Sequence, residues 1–481
     1  MPGAPLPPSR SSRSGSPEPP LLADGFDYRA AWYPLAPLED LDPAQPTAVE
    51  LLGRRYVIWR PQGEGYRVFL DLCPHRLAPL SEGRLDPASG QLMCSYHGWC
   101  FDGDGLCRRI PQASPPEPGE RQARHLAATA LPVREAVGLL WLWPDGERSE
   151  LAAATPLPLS AFARAEEGFR WGSIVRDLPY DWTTLVENVA DPAHVPFAHH
   201  GVQGRRERAM PLPMRMVKES RELLEAQVAG RAIAITTRLI FQPPCLLEYR
   251  FQLPGERRMG LITYCLPVAP GRSRVVALFS HDWTFPWWMR RPRWWDHLTN
   301  RNEVLDGDLL MLDRIERELA RRRAAGEPAD WRQAYRLPTA ADRMVIAFHH
   351  WLERYGAPPW QTLLPAGPPL AAAALATVRP AVKSPAEVPP LEEALLDRYH
   401  QHTVHCASCR GALAVTQRLE VAGLVMWALG LGLAALLPEA WRLPLGLPLV
   451  LLALGGGAAA AALRWGLEPW FRFRPYRHAK R

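Results

Sequence analysis

YRVFLDLCPHRLAPLSEGRLDPASGQLMCSYHGWCFDG, residues 66–103, contains two short loops of one kind: Cys73-x-His75 and Cys94-x-x-His97, with 18 residues between His75 and Cys94. Each loop follows an apolar run of strand character, YRVFLDL before the first and QLM before the second. Two thiols and two imidazoles at the tips of neighbouring hairpins are enough to hold one metal centre. By count they suit zinc. Zinc fingers, however, usually pair Cys with Cys and His with His, whereas each loop here carries one of each.

A mixed order is what a Rieske [2Fe–2S] centre needs, with two Cys on one iron and two His on the other. CPHR…CSYHGW resembles the signature of the Rieske non-haem iron oxygenases. The spacer is slightly longer than usual, and the excess falls in the turn DPASGQ. Respiratory and photosynthetic Rieske subunits carry an extra cysteine in each loop, where Ala78 and Tyr96 stand here. Cys100 and Cys107, in the following strand region, read as small core residues. The resemblance implies Cys73, His75, Cys94 and His97 as ligands of one Rieske cluster. It also implies a second cofactor, a mononuclear non-haem Fe(II).

Residues 188–199, NVADPAHVPFAH, supply the second centre. Two His and one carboxylate on one face, with positions left open, make the usual site for such an iron. The family pattern Asn-x-x-Asp-x-x-His-x4-His is matched by Asn188, Asp191, His194 and His199. The resemblance implies His194 and His199 as iron ligands, with Asn188 and Asp191 in the catalytic set. In the family the matching Asp bridges a Rieske histidine of a neighbouring subunit, here His97, to an iron-ligating histidine, here His194. That arrangement implies an oligomer, commonly a homotrimer. The adjacent His200 points elsewhere and reads as supporting or surface.

A third ligand is expected far downstream, on LTNRNEVLDGDLLMLDRIERELARRR, which reads as a long helix. Its Leu305, Leu309, Leu312 and Ile315 recur at helical spacing and predict an apolar face. Asp306, Asp308 and Asp313 are the candidate acids. Asp308, followed by LLML and Asp313, fits the family pattern best and Asp306 is the alternative; the family often has Glu where Gly307 precedes it. Between the two motifs, LLEAQVAGRAIAITTRLIFQ, CLLEYRFQL, MGLITYCLPVAP and SRVVALFSHDW alternate as strands with Pro/Gly breaks. An antiparallel sheet gripping a long helix is expected. GLGLAA in a later apolar run neither follows a strand nor opens a βαβ unit, so no dinucleotide fingerprint is present. Electrons are therefore expected from a separate ferredoxin or reductase.

FDYRAAWYPL, CPHRLAPLSEGR, ENVADPAHVPFAHHGVQG and ITYCLPVAPGRSR together resemble the pheophorbide a oxygenase and chlorophyllide a oxygenase-like branch of that family. The likeness runs from about Phe26 to the end and includes DRYHQHTVHCASCRGAL and the apolar C-terminal stretches. It implies O2-dependent oxidation of a chlorophyll-derived tetrapyrrole.

Val421–Leu437 and Leu443–Leu463 carry no charge and predict two membrane spans joined by PEAWR. The formal charge of +6 is concentrated at the end, where Arg464–Arg481 holds six Arg/Lys and one Glu. A near-neutral body with a basic tail argues against a nucleic-acid partner. With Arg410 and Arg418 before the first span, it predicts the catalytic domain on the cytosolic or stromal side. The first 24 residues, Pro- and Ser-rich, read as disordered; without a long transit sequence, a cyanobacterial thylakoid, or a chloroplast, is the expected location. HDWTFPWWMRRPRWWD interleaves Trp with Arg and reads either as a bilayer-interface segment or as packing between domains.

The expected class is α+β. Its parts are a disordered segment (1–24), an all-β Rieske domain (25–150), a helix-grip catalytic domain (151–365), a linker (366–417), a transmembrane hairpin (418–463) and a basic tail (464–481). Cys406-x-x-Cys409 has the spacing of a redox pair, with thioredoxin as its partner; a small metal site using the nearby His402 and His405 competes. Two other classes stay open: a membrane-anchored Rieske electron carrier and a redox-sensing regulatory protein.

Overall fold

A computed structural model of the chain describes residues 25–229, 236–356, 359–360 and 391–478. The expected disordered segment 1–24, the stretch 366–390 of the expected linker and the last three residues of the basic tail lie outside them.

The N-terminal part is built from eleven short strands in three antiparallel sheets. β1 (Tyr33–Pro37), β11 (Leu139–Leu142) and β10 (Val133–Ala136) form the first, in that order. β2 (Thr47–Leu51), β3 (Arg54–Trp59), β4 (Arg67–Leu70) and β9 (Ala130–Leu131) form the second. β5 (Arg84–Leu85), β6 (Leu92–Met93), β7 (Cys100–Phe101) and β8 (Cys107–Arg109) form the third. Cys100 and Cys107 are fully buried between these last strands, as expected of small core residues.

The catalytic part is one seven-stranded antiparallel sheet. β13 (Met214–Glu219), β14 (Leu224–Ala229), β15 (Thr236–Gln242), β16 (Leu246–Gln252), β17 (Arg258–Ala269) and β18 (Arg272–His281) run as a meander, and β12 (Arg170–Leu178) closes on β18. The helices Trp182–Ala190, Asn302–Ala324 and Arg343–Tyr355 accompany this sheet. Buried apolar residues do not divide at residue 150. One continuous core runs from Tyr28, Trp32, Leu140 and Trp141 through Trp182 to Tyr264 and Trp351, while a smaller core lies under Cys73 and Cys94.

Two features differ from the sequence reading. On the helix Asn302–Ala324 the buried face is Asn302, Glu303, Asp306, Gly307, Asp308, Leu309 and Asp313, and Ile315 is 42% exposed. Helical periodicity found the helix, but buried acids with specific partners decide which way it faces. Residues 391–417 are also more than a linker. Arg398, His402, Thr403, Cys406 and Cys409 are buried, and the helix Ala407–Leu436 starts well before the expected span.

Ala407–Leu436 and Glu439–Arg472 are each long and apolar enough to cross a membrane. They pack closely because their contacts are small: a Cβ on Gly423 would lie 2.6 Å from the carbonyl oxygen of Gly456, and one on Gly430 would lie 2.8 Å from Cβ of Ala453. Leu424, Val425, Leu429, Leu433, Leu451, Leu452 and Leu454 point outward.

Candidate functional site

The two Cys-His loops share one backbone design. Cys73 N–H donates to the carbonyl of Ala78, and Leu77 N–H donates back to the carbonyl of Cys73. Cys94 N–H donates to the carbonyl of Trp99, and Gly98 N–H donates back to that of Cys94. Leu77 and Gly98 occupy the same place in each loop, both with positive φ (60° and 71°). Leu77 bears a conformational cost that glycine escapes, as is common where a loop is held for function. Asp71 anchors the first loop by accepting from the N–H and hydroxyl of Ser81, each at 2.7 Å.

Both thiols are buried, whereas the imidazoles lie nearer the surface: His75 is exposed and stacks on Trp99, with its ring centre 4.5 Å from that of His97. Burial pushes the Cys73 thiol up to about 12, with the neighbouring Cys94 adding to the rise. Two buried thiols facing two surface-side imidazoles fit a cluster that would take the cysteines on one iron and the histidines on the other.

The second centre arises where the helix Trp182–Ala190 ends. Asp181 caps its start, accepting from Thr183 N–H at 3.0 Å. Trp182 donates to the carbonyl of Cys265, and Tyr249 donates to that of Val189, which ties both ends to the sheet. Asp191-Pro192 stops the helix. One short turn, Val195–Ala198, follows, with His194 just before it and His199 just after. Their Nε2 atoms are 3.1 Å apart. Asp308 Oδ1 comes in from the long helix, 3.7 Å from His194 Nε2 and 3.5 Å from His199 Nε2. Gly307 permits that approach, because a Cβ there would lie 3.0 Å from the carbonyl oxygen of Ala198 and 2.9 Å from Tyr476 Oη.

Electrostatics keeps the three groups distinct. Burial, with His194 adding to it, drives His199 down to about 3, so it is a neutral imidazole. Burial raises Asp308 to about 6, opposed by His194 and by a hydrogen bond from Asn188. Burial also pulls His194 down, but Asp191 and Asp308 outweigh it and hold it above its ordinary value. Two imidazole nitrogens and one carboxylate oxygen converging on one point fit a mononuclear iron with open positions.

The remaining candidates separate cleanly. Asn188 acts through Asp308. Asp191 Oδ2 lies 3.6 Å from His194 Nδ1, beyond a direct hydrogen bond, and its side chain is 31% exposed. His200 faces away and accepts from Arg206 N–H. Asp306 is remote in role: it is fully buried between Arg176 and Arg398, each at 2.6 Å. Asp313 pairs with Arg317. Cys406 and Cys409 are buried, and the histidine that joins His402 beside them is His297; His405 instead pairs with Asp177 at 3.1 Å.

Sequence reasoning missed three groups. His297 stands alone in its segment, Arg398 lies in the expected linker, and Tyr476 in the basic tail donates to the carbonyl of Ala198 beside His199. None has a local motif.

Residues 31–131 match the family described as the Rieske [2Fe-2S] domain, and residues 241–325 match pheophorbide a oxygenase. The chain is 39% identical to the chloroplastic pheophorbide a oxygenase of Oryza sativa subsp. japonica, over 82% of this chain and 75% of that protein. It is 33% identical to the chloroplastic flavonoid 8-hydroxylase 2 of Ocimum basilicum, over 83% and 76%. Its fold is like that of dicamba monooxygenase, with a TM-score of 0.55 and 21% identity over 68% of this chain and 96% of that one.

Proposed function

From the premise that this chain belongs to the pheophorbide a oxygenase family of Rieske non-haem iron oxygenases, we propose that it oxidises a chlorophyll-derived tetrapyrrole with O2. The convergence of His194, His199 and Asp308, in a chain that also carries the two Cys-His loops, is the observation that carries the reading. A Rieske carrier would have no use for that trio. When bound, the cluster supplies single electrons and the mononuclear iron supplies oxygen activation.

The chain's own residues set the conditions. His199 and His194 present ring nitrogens, and Asn188 orients the Asp308 carboxylate. Asp191, partly exposed beside His194, suits a bridge to the Rieske histidines of a neighbouring copy. Leu72, Leu77 and Tyr96 are exposed around the cluster loops, so this face offers an apolar contact surface. A head-to-tail ring, with a trimer as the expected form, would bring the two faces together. Ferredoxin or a reductase would supply the electrons.

The hairpin supports a membrane location, since its outward side chains are apolar. Trp287 and Trp288 are 78% and 69% exposed, while Trp294 of the same segment stacks on Phe471 near the hairpin root. Tryptophans so placed suit the bilayer interface. The basic C-terminal tail supports a catalytic domain on the cytosolic or stromal side of a photosynthetic membrane.

The flavonoid hydroxylase relative makes substrate class the point to test. Purified enzyme, ferredoxin, its reductase and isotopically labelled O2 should convert one of a panel of chlorophyll derivatives into a product carrying labelled oxygen. Turnover of flavones alone, with every tetrapyrrole untouched, would overturn the proposed substrate class.

A further inference from the structure

A second group of metal-ligand side chains lies apart from His194, His199 and Asp308. His297, His402, Cys406 and Cys409 are all buried, with one donor atom from each lying within 4.8 Å of all the others. His297 Nδ1 is 3.1 Å from His402 Nε2, and 3.6 Å from each of the two sulfurs. His402 Nε2 is 3.3 Å from Cys409 Sγ.

The outer nitrogens of both rings are already committed. His297 Nε2 donates to the carbonyl of Ser173 at 2.9 Å, and His402 Nδ1 donates to that of Val175 at 2.6 Å. A carbonyl only accepts, so each outer nitrogen carries the proton. In the neutral rings the two facing nitrogens are then both lone pairs, and they cannot hydrogen-bond to each other. Lone pairs 3.1 Å apart in a dry interior repel unless a cation lies between them. Backbone carbonyls that fix the tautomer of a ligating histidine are the usual support of a metal site.

The spacing has the size of one ion. Tetrahedral zinc, with bonds of about 2.0–2.1 Å to nitrogen and about 2.3 Å to sulfur, separates nitrogens by about 3.3 Å and nitrogen from sulfur by about 3.6 Å. The observed separations are 3.1 Å, and 3.3 to 3.6 Å, respectively. Charge fits as well: two thiolates and two neutral imidazoles around a divalent ion sum to zero, the charge best suited to full burial. Cys406 occupies the N-cap position of the helix Ala407–Leu436 and Cys409 lies in its first turn, where the positive end of the helix favours thiolates.

We propose that His297, His402, Cys406 and Cys409 form a closed, structural zinc site that fastens the root of the membrane hairpin to the catalytic domain. It joins three elements. His297 lies in the helical run that leads to Asp308, the carbonyls of Ser173 and Val175 belong to β12, and the two cysteines open the first apolar helix. Asp40 from the N-terminal part reinforces the joint, accepting from Ala407 N–H and pairing with both terminal nitrogens of Arg293. Four protein ligands leave no open position, so the ion holds structure and performs no catalysis.

The test uses the full-length protein in detergent, purified without chelator. Elemental analysis should find one zinc per chain beside the iron. X-ray absorption at the zinc edge should show two sulfur and two nitrogen neighbours. The Cys406→Ser/Cys409→Ser and His402→Ala variants should lose zinc at least tenfold while keeping the visible spectrum of the Rieske cluster, which has its own ligands. Should those variants fail to accumulate, alkylation of the wild-type protein decides: Cys406 and Cys409 should react only after zinc is withdrawn. Zinc-free protein with these cysteines as a disulfide or as freely reactive thiols overturns the proposal. So does zinc retained in the double variant, or an additional iron lost with these ligands in place of zinc.

Discussion

Asp306 and Asp308 stand two residues apart on one helix, and their neighbours give them opposite tasks. Asp308 meets two imidazoles, whereas Asp306 is held by two guanidinium groups in a closed, buried network. Asp308→Ala should therefore lose the mononuclear iron and keep both irons of the cluster, as read by metal analysis and by the cluster spectrum. Asp306→Asn should keep all its iron but lose about 3–5 kcal/mol of stability, because it leaves two buried arginines short of a partner. Equal iron loss in both variants would contradict this division. Asp191→Ala should retain both centres yet fail to pass electrons between them; stopped-flow spectra should show a cluster that reduces normally and reoxidises slowly under O2. Fast reoxidation would remove Asp191 from the route. At this scale the sequence carried most of the site, since Cys73, His75, Cys94, His97, His194 and His199 lie in two compact motifs. It could only rank the acids, because what separates Asp306 from Asp308 is Arg176 and Arg398, distant in sequence and without a motif.

The helix Asn302–Ala324 shows why elements are harder to orient than to find. Its inward-facing acids each have a partner: Glu303 with Arg398 and Arg474, Asp313 with Arg317, and Glu316 with the start of the helix Trp182–Ala190. Apolar periodicity reports burial only when burial is apolar, which is why Ile315 was misplaced and Leu309 was not. Glu316 accepts from Asp181 N–H at 2.7 Å and from the Thr184 hydroxyl at 2.5 Å, so it locks the long helix to the helix that leads into the His194 turn. Burial, opposed by Thr184 and reinforced by the charge of Asp181, raises its carboxyl from 4.5 to about 7. A raised carboxyl contributes stability that is full below the unfolded pKa of about 4.5 and is lost as pH climbs through about 7. Glu316→Gln can keep both accepted bonds through its amide oxygen and does not titrate. Its melting temperature should therefore gain on that of the wild type as pH rises from about 4.5 to about 7. A difference that stays flat across that range would mean that Glu316 is not the titrating lock.

At the scale of the whole molecule, the two apolar helices leave the folded body and return to it at one place. Glu420 and Arg464 are 2.8 Å apart, one on each helix, and below them the chain re-enters the protein on both sides. Phe471 is fully buried beside Cys406 and Cys409, Arg474 pairs with Glu303, and Tyr476 reaches the turn between His194 and His199. The sequence revealed the hairpin through its uncharged length, yet the tail beyond it read only as basic, because return contacts of this kind have no periodicity. The distinction predicts how the apolar hairpin can be removed. Replacing residues 421–463 with a short Gly/Ser linker joins two ends that already touch. That protein should leave membranes in a high-salt wash, without detergent, and keep its cluster spectrum and its iron. Cutting the chain after Cys409 also removes Phe471, Arg474 and Tyr476, so the truncated protein should release the mononuclear iron faster to a chelator than the excised one does. Equal iron retention in the two proteins would show that the returning tail does not support the site. If the excised protein still needs detergent for extraction, the exposed Trp287 and Trp288, rather than the hairpin, are the main hold on the bilayer.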